Sequence, residues 1–271
     1  MSTDGTSAPV VAVLGLGEAG GAIARDLVAA GAVVRGYDPL FRPGGAEPVP
    51  DGIVPAGSEA EAAEGAGLVL SVNSAHDAVD ALRAGARSAA AAGAAWADLN
   101  TAAPGLKREL DGIAREHGLP FADVAIMAPV PGRGLRTPML ACGDAADRVA
   151  GALRALGASV DVLPGEAGTA AGRKLLRSVF FKGLAASVVE ALEAARAAGC
   201  EDWLRGNIVA ELVSAGESTV DRLVEGTHRH AVRRAAEMAA AATMLDELDV
   251  PPAMAAASRD LLTRLAAGAK T

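Results

Sequence analysis

This sequence of 271 residues has few aromatic residues, only two cysteines, and fewer cationic than anionic side chains. Aromatic residues make up only 3% of the chain, so its core must be built from aliphatic side chains, many of them alanine. Lysine and arginine number 25 against 33 aspartates and glutamates, which argues against a nucleic-acid surface because such surfaces need clustered cations. The one dense basic stretch, residues 228–234, could hold a single small anion.

The two cysteines, Cys142 and Cys200, are far apart and form no metal-binding or redox motif. The sequence also lacks an uncharged apolar run of about 18 residues, the length that a transmembrane helix needs. Residues 1–9 are polar and show no basic-then-apolar signal pattern. We therefore expect a soluble cytoplasmic protein with reduced thiols and no membrane or nucleic-acid partner.

Short apolar runs alternate with helical stretches up to about residue 165. The continuous apolar run Val10–Leu14 is typical of a strand buried on both faces. This alternation predicts an α/β fold, a Rossmann domain with a doubly wound parallel sheet over residues 1–165. Strands are predicted over 10–14, 32–37, 68–72, 94–98, 120–126, 139–142 and 159–162, with helices over 18–30, 59–65, 76–92, 104–117 and 145–157 and a loop over 38–50.

The pattern changes after residue 165, where a long helical stretch begins and no strand follows. The sequence therefore predicts an all-α C-terminal domain over residues 166–271, which would carry substrate-binding and dimerisation surfaces. Its helices are predicted over 166–198, 203–216, 218–225, 228–248 and 252–267.

A GxGxxG motif directly follows the first predicted strand and opens a helix, the context in which this motif binds a dinucleotide. Gly15 permits the tight turn, Gly17 lets the backbone approach the pyrophosphate, and Gly20 lets helix and strand pack closely. The helix N-terminus offers free N–H groups to the phosphates. The predicted cofactor-binding residues of this loop are Gly15, Leu16, Gly17, Glu18, Ala19 and Gly20.

Asp38 ends the second predicted strand, 18 residues after Gly20, where an acidic side chain can bond the ribose hydroxyls of NAD and repel the 2′-phosphate of NADP. Arg42 in the following loop is either a solvated charge or a partner for that phosphate. The cofactor is therefore predicted to be NAD or NADP, with NAD slightly favoured.

Two polar pairs, Asn73-Ser74 and Asn100-Thr101, follow later strands, at the sheet edge where this fold binds ligands. We expect Asn100 and Thr101 to line the site together with Asn73. Ser74 is explained equally well by helix capping.

Lysine is rare, and the four in the chain are Lys107, Lys174, Lys182 and Lys270. Because arginine cannot give up its proton and lysine can, each lysine is informative about proton transfer. Lys174 follows a run of small residues and shares a predicted helix face with Arg177 and Ser178. From the residues alone, a solvated helix charge is the simpler explanation of Lys174.

The sequence resembles the β-hydroxyacid dehydrogenase superfamily, which includes 3-hydroxyisobutyrate and 6-phosphogluconate dehydrogenases. Residues 13–20 are similar to its opening signature, and residues 98–101 to its fifth-strand motif, in which a threonine lies by the nicotinamide. Gly165, Gly168 and Lys174 match its catalytic stretch. The resemblance implies an NAD(P)-dependent dehydrogenase or reductase acting on the CH–OH group of a small 3-hydroxy-acid-like substrate. It further implies that Lys174 is the general acid/base and that two chains interlock as a homodimer.

The sequence departs from the family pattern in two places that bear on the substrate. In both places it is similar to a branch of phosphogluconate-dehydrogenase-like oxidoreductases. Arg177 and Ser178 replace a pair of asparagines, and Met127 begins the segment that replaces a carboxylate-binding Ser-Gly-Gly. Arg177, together with Arg133 or Arg136 of the following basic loop, would then hold an anionic substrate by charge-assisted hydrogen bonds. The alternative is that both loop arginines are solvated.

Three further alternatives stay open. An imine reductase of the same superfamily usually carries Asp or Tyr at the place of Lys174, and a non-catalytic dinucleotide-binding protein would not need that lysine. His230 and Glu237 share a predicted helix face from which the family often supplies an acidic–basic pair, although capping or surface roles are simpler. His228 and His230 point apart on a helix, so no metal site is expected.

Overall fold

The computed structural model describes residues 8–41 and 48–268. It divides the chain into two compact units, residues 1–177 and 178–271. The first unit is built on an eight-stranded sheet, and the second consists of helices. The predicted fold class, a Rossmann domain followed by an all-α region, is confirmed.

The strands of the first unit are β1 Val10–Leu14, β2 Val33–Tyr37, β3 Ile53–Pro55, β4 Leu68–Ser71, β5 Ala95–Asp98, β6 Phe121–Ile126, β7 Met139–Cys142 and β8 Val160–Val162. Its helices are α1 Glu18–Ala29, α2 Glu59–Ala63, α3 Ala78–Ala91, α4 Pro104–Glu116 and α5 Ala146–Ala155, with a short 3₁₀ helix at Gly134–Arg136. The strand order is β3-β2-β1-β4-β5-β6-β7-β8.

Alternating side chains of the sheet enter two hydrophobic cores, one on each face. In β1, Val11 and Val13 pack with α1 and α5, whereas Ala12 and Leu14 pack with α2, α3 and α4. A strand covered by helices on both faces needs apolar side chains at every position, which is why Val10–Leu14 shows no polar alternation.

Two features of the sheet differ from the sequence-based expectation. Strand β3 was not predicted, because its three residues lie close to a stretch rich in proline and glycine and form an edge strand. Strand β7 pairs antiparallel to β6, whereas the other neighbouring strands are parallel. The link from β6 to β7 contains only the 3₁₀ helix, so it does not make the helical crossover that a parallel neighbour requires.

Helix α6, Thr169–Ala197, begins in the first unit and continues into the second. The predicted domain boundary between residues 165 and 166 therefore stays a prediction. The second unit adds α7 Glu201–Ser214, α8 Glu217–Arg229, α9 Ala231–Glu247 and α10 Ala253–Gly268. Its small core is formed by Ala194, Ala242, Leu245 and Ala255. None of the helices in the described ranges combines the length and hydrophobicity of a membrane-spanning segment.

The single helix predicted over residues 228–248 is wrong at its start. His230 leaves helical geometry with φ −116°, so α8 ends and α9 begins there. Neither proline nor glycine marks this break. Glu237 accepts a hydrogen bond from Arg233 on the surface, at 2.8 Å. His230 lies at the junction of the two helices without a side-chain cap hydrogen bond, and both residues are on the surface.

Candidate active site

The strand order reverses between β1 and β4, since β2 and β3 lie on one side and β5 to β8 on the other. The loops that leave the carboxyl ends of β1 and β4 consequently run in opposite directions and open a crevice between them. Gly15 follows β1 and Asn73 follows β4, so two of the predicted cofactor segments meet at this crevice.

Two glycines of the loop after β1 are required by the fold itself. Gly15 has φ +96°, and a β-carbon there would lie 2.6 Å from the carbonyl oxygen of Val72. A β-carbon on Gly20 would collide with the carbonyl oxygen of Gly15. Glycine at both positions therefore lets α1 start directly against the ends of β1 and β4.

Gly17 has no such packing reason. Its φ is −58°, which any residue adopts, and a β-carbon there would meet no protein atom within 4 Å. Gly17 is the N-cap residue of α1 and has no side chain to cap the helix. Open space beside an uncapped helix N-terminus suits the close approach of a pyrophosphate, so this loop fits a dinucleotide.

Asp38 is held at the end of β2 by two backbone amides. Its Oδ2 accepts from the N–H of Leu16 at 2.8 Å, and its Oδ1 accepts from the N–H of Leu40 at 2.9 Å. Asp38 lines a cavity of about 410 Å³ together with Gly15 and Gly17. The side chain of Leu16 is buried in the core, so Leu16 contributes to this loop through its backbone. Arg42 lies outside the described residues.

A second cavity of about 620 Å³ shares Val72, Asn73 and Ser74 with the first. Seven residues predicted for the site line this second cavity: Glu18, Ala19, Asn73, Ser74, Asn100, Thr101 and Lys174. The structure therefore brings together the loop after β1, the polar pairs after β4 and β5, and the lysine of α6.

Asn100 is nearly buried and its side chain is fixed. Its Nδ2 donates to Asn73 Oδ1 and to Asp98 Oδ2, both at 2.7 Å, and lies 3.1 Å from Ser71 Oγ. The hydroxyl of Ser74 donates to Asp77 Oδ2 at 2.6 Å and accepts from the N–H of Asp77 at 3.2 Å, just before α3, and Ser74 lines both cavities.

Lys174 lies in the second turn of α6 and is half-buried. Burial lowers the pKa of its amine, the neighbouring charge of Lys107 lowers it further, and Asp123 acts in the opposite direction. A lysine whose pKa is lowered is neutral at a lower pH than a solvated lysine, so it can take up and return a proton. The solvated charge that the residues alone suggested does not describe this side chain.

The residues predicted to bind the substrate are placed differently. These residues, all within the described part of the chain, are Met127, Arg133, Arg136, Arg177 and Ser178, and none of the five lines the cavity that contains Lys174. Met127 packs against a small core with Ala125 and Cys142. Arg177 is the last residue of the first unit, and Ser178 is the first of the second.

The loop arginines are exposed because their loop docks on α1. The N–H of Leu135 donates to Asp26 Oδ2 at 2.8 Å, and this bond fixes the 3₁₀ helix that lies between Arg133 and Arg136. Of the two expectations for these side chains, the structure agrees with solvation, and it does not assemble the predicted clamp around the cavity.

A buried charge cluster beneath the cavity escaped the sequence analysis. Lys107 is fully buried, and its Nζ contacts Asp98 Oδ1 and lies 3.2 Å from Asp123 Oδ1. Asp123 Oδ2 accepts from the N–H groups of Gly168 and Ala171, each at 3.0 Å, at the start of α6. The rarity of lysine was the signal that could have identified Lys107.

Residues 10–163 match the family described as the NAD binding domain of 6-phosphogluconate dehydrogenase. The chain belongs to this family. It is an NAD(P)-binding oxidoreductase of the 6-phosphogluconate dehydrogenase-like superfamily, which confirms the predicted membership. Residues 195–265 match a domain of unknown function, DUF1932. No curated protein sequence matches the chain significantly.

Several solved structures are similar along nearly the whole chain. A conserved hypothetical protein from Sinorhizobium meliloti 1021 is 28% identical with a TM-score of 0.58, covering 95% of this chain and 88% of the other. An imine reductase from Myxococcus stipitatus in complex with NADP⁺ is 19% identical with a TM-score of 0.78, covering 96% and 95%. At this identity the likeness shows the fold alone. Its V8 variant is in complex with NAD⁺.

Replacing Gly17 with alanine tests the cofactor loop without disturbing the fold. The added methyl group meets no protein atom, so we expect the melting temperature to be kept, whereas the dissociation constant for NADH should rise about tenfold, or ~1.4 kcal/mol. Isothermal titration calorimetry measures the binding. Gly151→Ala, at an exposed position of α5 with equally open space, is the matched control and should bind NADH normally. Undiminished binding by Gly17→Ala would contradict the assignment of this loop.

Proposed function

We propose that this oxidoreductase transfers a hydride between a nicotinamide cofactor and the hydroxyl or carbonyl group of a small 3-hydroxy-acid-like substrate, with Lys174 as general acid/base. The observation that carries the proposal is the half-buried amine of Lys174 in the cavity that also contains Asn100 and Thr101. That cavity adjoins the one lined by the glycine loop and Asp38, as expected for the two ends of a dinucleotide site.

The proton balance of the reaction falls to Lys174. When bound, the oxidised nicotinamide supplies the hydride acceptor and the reduced form the hydride donor. In the oxidative direction, the neutral amine of Lys174 takes the hydroxyl proton while the carbon loses its hydride, which leaves a carbonyl group. In the reductive direction, the ammonium form returns that proton to the carbonyl oxygen. Because the pKa of Lys174 is lowered, its neutral amine and its ammonium form interconvert at a lower pH than those of a solvated lysine, which favours both roles.

An anionic substrate is supported by the charges near the proton-transfer group. Among the described residues that line its cavity, Lys174 is the only cation and Glu18 the only carboxylate. Arg177 does not line that cavity, but it follows Lys174 by three residues on α6, so its positive charge is on the same side of the helix. A carboxylate on the substrate would gain from both charges.

We further infer that NAD is preferred to NADP. The cavity beside the glycine loop is lined by four carboxylates, those of Asp38, Glu59, Asp77 and Asp80. Among the described residues, no cation lines it. A 2′-phosphate in this cavity would approach like charges, which costs free energy even at the high effective dielectric of a surface site. The support from Asp38 is the most direct, because both of its oxygens are oriented by backbone amides.

We also infer that the protein works as a homodimer. Helices α7 and α8 bury no residue within the chain, yet both carry exposed apolar side chains. On α7 these include Trp203, Leu212 and Val213, and on α8 they include Val220 and Leu223. Most helices in proteins are stabilised by packing of an apolar face, so these two need a covering surface. A second copy of this chain supplies the same apolar residues by symmetry.

One substrate screen tests the reaction class. Oxidation of NADH and NADPH is followed with 3-oxo acids, with uncharged ketones of the same carbon skeleton, and with cyclic imines. We expect the highest kcat/KM with a 3-oxo acid and NADH. Reduction of imines alone would replace the proposal with an imine reductase, and higher efficiency with NADPH would overturn the cofactor preference. Equal efficiency on charged and uncharged ketones would remove the basis for an anionic substrate.

A further inference from the structure

Two carboxylates lie side by side in the buried part of the sheet. Asp98 of β5 and Asp123 of β6 are paired positions in the strand register, and both are completely buried. Two buried like charges at adjacent positions repel each other unless a cation lies between them. Lys107, in the first part of α4, supplies that cation and is itself completely buried.

Each carboxylate connects Lys107 to a different wall of the active-site cavity. Asp98 Oδ2 accepts from Asn100 Nδ2 at 2.7 Å, and Asn100 lines the cavity. Asp123 Oδ2 accepts from the N–H groups of Gly168 and Ala171, so it caps the helix whose second turn carries Lys174. The cluster therefore joins two predicted site segments, Asn100 after β5 and Lys174 on α6, that are 74 residues apart in the sequence.

The start of α6 also abuts the start of α4 directly. Gly168 has φ +101°, and a β-carbon there would lie 2.8 Å from the carbonyl oxygen of Pro104. The N–H of Ala170 donates to Cys142 Sγ at 3.2 Å, which adds a third buried attachment. The first turn of α6 is thus fixed by β6, β7 and α4 together.

We propose that Lys107 is a positioning residue for Lys174: by holding Asp98 and Asp123 together, it fixes the first turn of α6 and the side chain of Asn100 on opposite walls of the cavity. This inference rests on the proposed role of Lys174 in proton transfer. It assigns Lys107 no contact with the substrate, because Lys107 is fully buried beneath the site.

The same cluster acts on Lys174 through its charge. The charged groups that face Lys174 from other elements are Lys107 of α4, Asp123 of β6 and, across the cavity, Glu18 of α1. Lys107 favours the neutral amine of Lys174 and Asp123 favours its ammonium form. Removing the charge of Lys107 should therefore raise the pKa of Lys174, and removing the charge of Asp123 should lower it.

The test measures the protonation of Lys174 without needing a substrate. The full-length protein is labelled with acetic anhydride across a pH series, and the modification of each lysine is read by mass spectrometry of its peptides. Lys182 is exposed on the same helix and serves as the internal reference. In Lys107→Met the labelling midpoint of Lys174 should rise by about one pH unit, in Asp123→Asn it should fall, and in Lys107→Arg, which keeps the charge, it should stay near the wild-type value.

Opposite shifts separate positioning from simple loss of structure. Partial unfolding would raise the midpoint in both Lys107→Met and Asp123→Asn, towards that of Lys182, and would overturn the proposal. An unchanged midpoint in folded Lys107→Met would also overturn it. If Lys107→Met does not fold, Asp123→Asn decides: a lower midpoint supports the proposal, and an unchanged or higher one contradicts it.

Kinetics then distinguish this inference from the proposed function. With any substrate found in the screen, Lys107→Met should lower kcat up to about 10²-fold while the KM for NADH stays unchanged, because misplacement by about 1 Å has such an effect. If Lys174 itself proves dispensable for turnover, the proposed function fails, but the labelling result still stands or falls on the geometry of the cluster.

Discussion

Lys174→Ala is expected to lower kcat by about 10²- to 10⁴-fold, the contribution typical of a positioned general acid or base. Cofactor binding should be kept, because the glycine loop and Asp38 belong to β1, α1 and β2 rather than to α6. Steady-state kinetics and calorimetric titration with NADH measure the two effects separately. A variant that loses cofactor binding and turnover together would point to a structural role for this lysine.

Two further variants sharpen the assignment. Lys174→Arg keeps the positive charge but cannot release its proton, so it should be nearly as inactive as the alanine variant. Lys182→Ala removes an exposed lysine from the same helix and should retain wild-type kcat. Turnover by Lys174→Arg at the wild-type rate would show that charge, and not proton transfer, is what the reaction needs.

The pH dependence follows from the lowered pKa of Lys174. Oxidation requires the neutral amine, so kcat/KM for the alcohol should rise with pH and level off below the pH at which ordinary lysines titrate. Reduction requires the ammonium form, so kcat/KM for the carbonyl compound should fall as the pH rises through the same value. Both transitions should be missing in Lys174→Ala.

Placing charges on α7 is expected to abolish the proposed dimer. Val209 and Val213 are 52% and 81% exposed within the chain and are four residues apart, so they share one face of the helix. With both changed to glutamate, like charges from two copies would be buried together, and each such substitution in an interface core costs on the order of 2 kcal/mol or more. Light scattering should then report the mass of one chain in place of two.

The matched control for this variant is Val54→Glu, which changes an exposed valine of β3 in the first unit. It should leave the mass of the assembly unchanged. The double variant should also lose helical circular dichroism on mild heating, because α7 and α8 bury no residue of their own. A wild-type protein that is monomeric at micromolar concentration would contradict the proposal directly.

Patterns that depend on neighbouring residues were predictable. The buried run Val10–Leu14, the glycine loop that follows it and the strand endings at Asn73 and Asn100 all stand where their sequence placed them. Each rests on a local rule: apolar continuity in a doubly covered strand, glycine at a crowded turn, and polar residues at the carboxyl edge of the sheet. Strand β3 was missed because three residues are too few to show a pattern.

The positions of the residues predicted to bind substrate could not be derived in the same way. Arg133 and Arg136 lie in a basic loop that the sequence puts near the site, yet one hydrogen bond from Leu135 to Asp26 turns that loop onto α1. The partners are separated by 109 residues, and no local pattern reports such a contact. For the same reason the antiparallel direction of β7 was not foreseen, since strand direction is decided by the path of the connection.

The sequence by itself determined the fold class, the dinucleotide loop and the identity of Lys174 as the lysine to test, because these are written in spacing and residue type. Only the tertiary structure decided that Lys107 is a buried cation between Asp98 and Asp123, and that Asp123 caps the helix of Lys174. In the sequence, Lys107 is one lysine on an amphipathic helix. Lys107 is buried where α4, β5, β6 and α6 meet. The pKa of Lys174 is lowered there first by the burial of its own amine and then by the charge of Lys107, and both effects depend on how these elements pack together and not on any one segment.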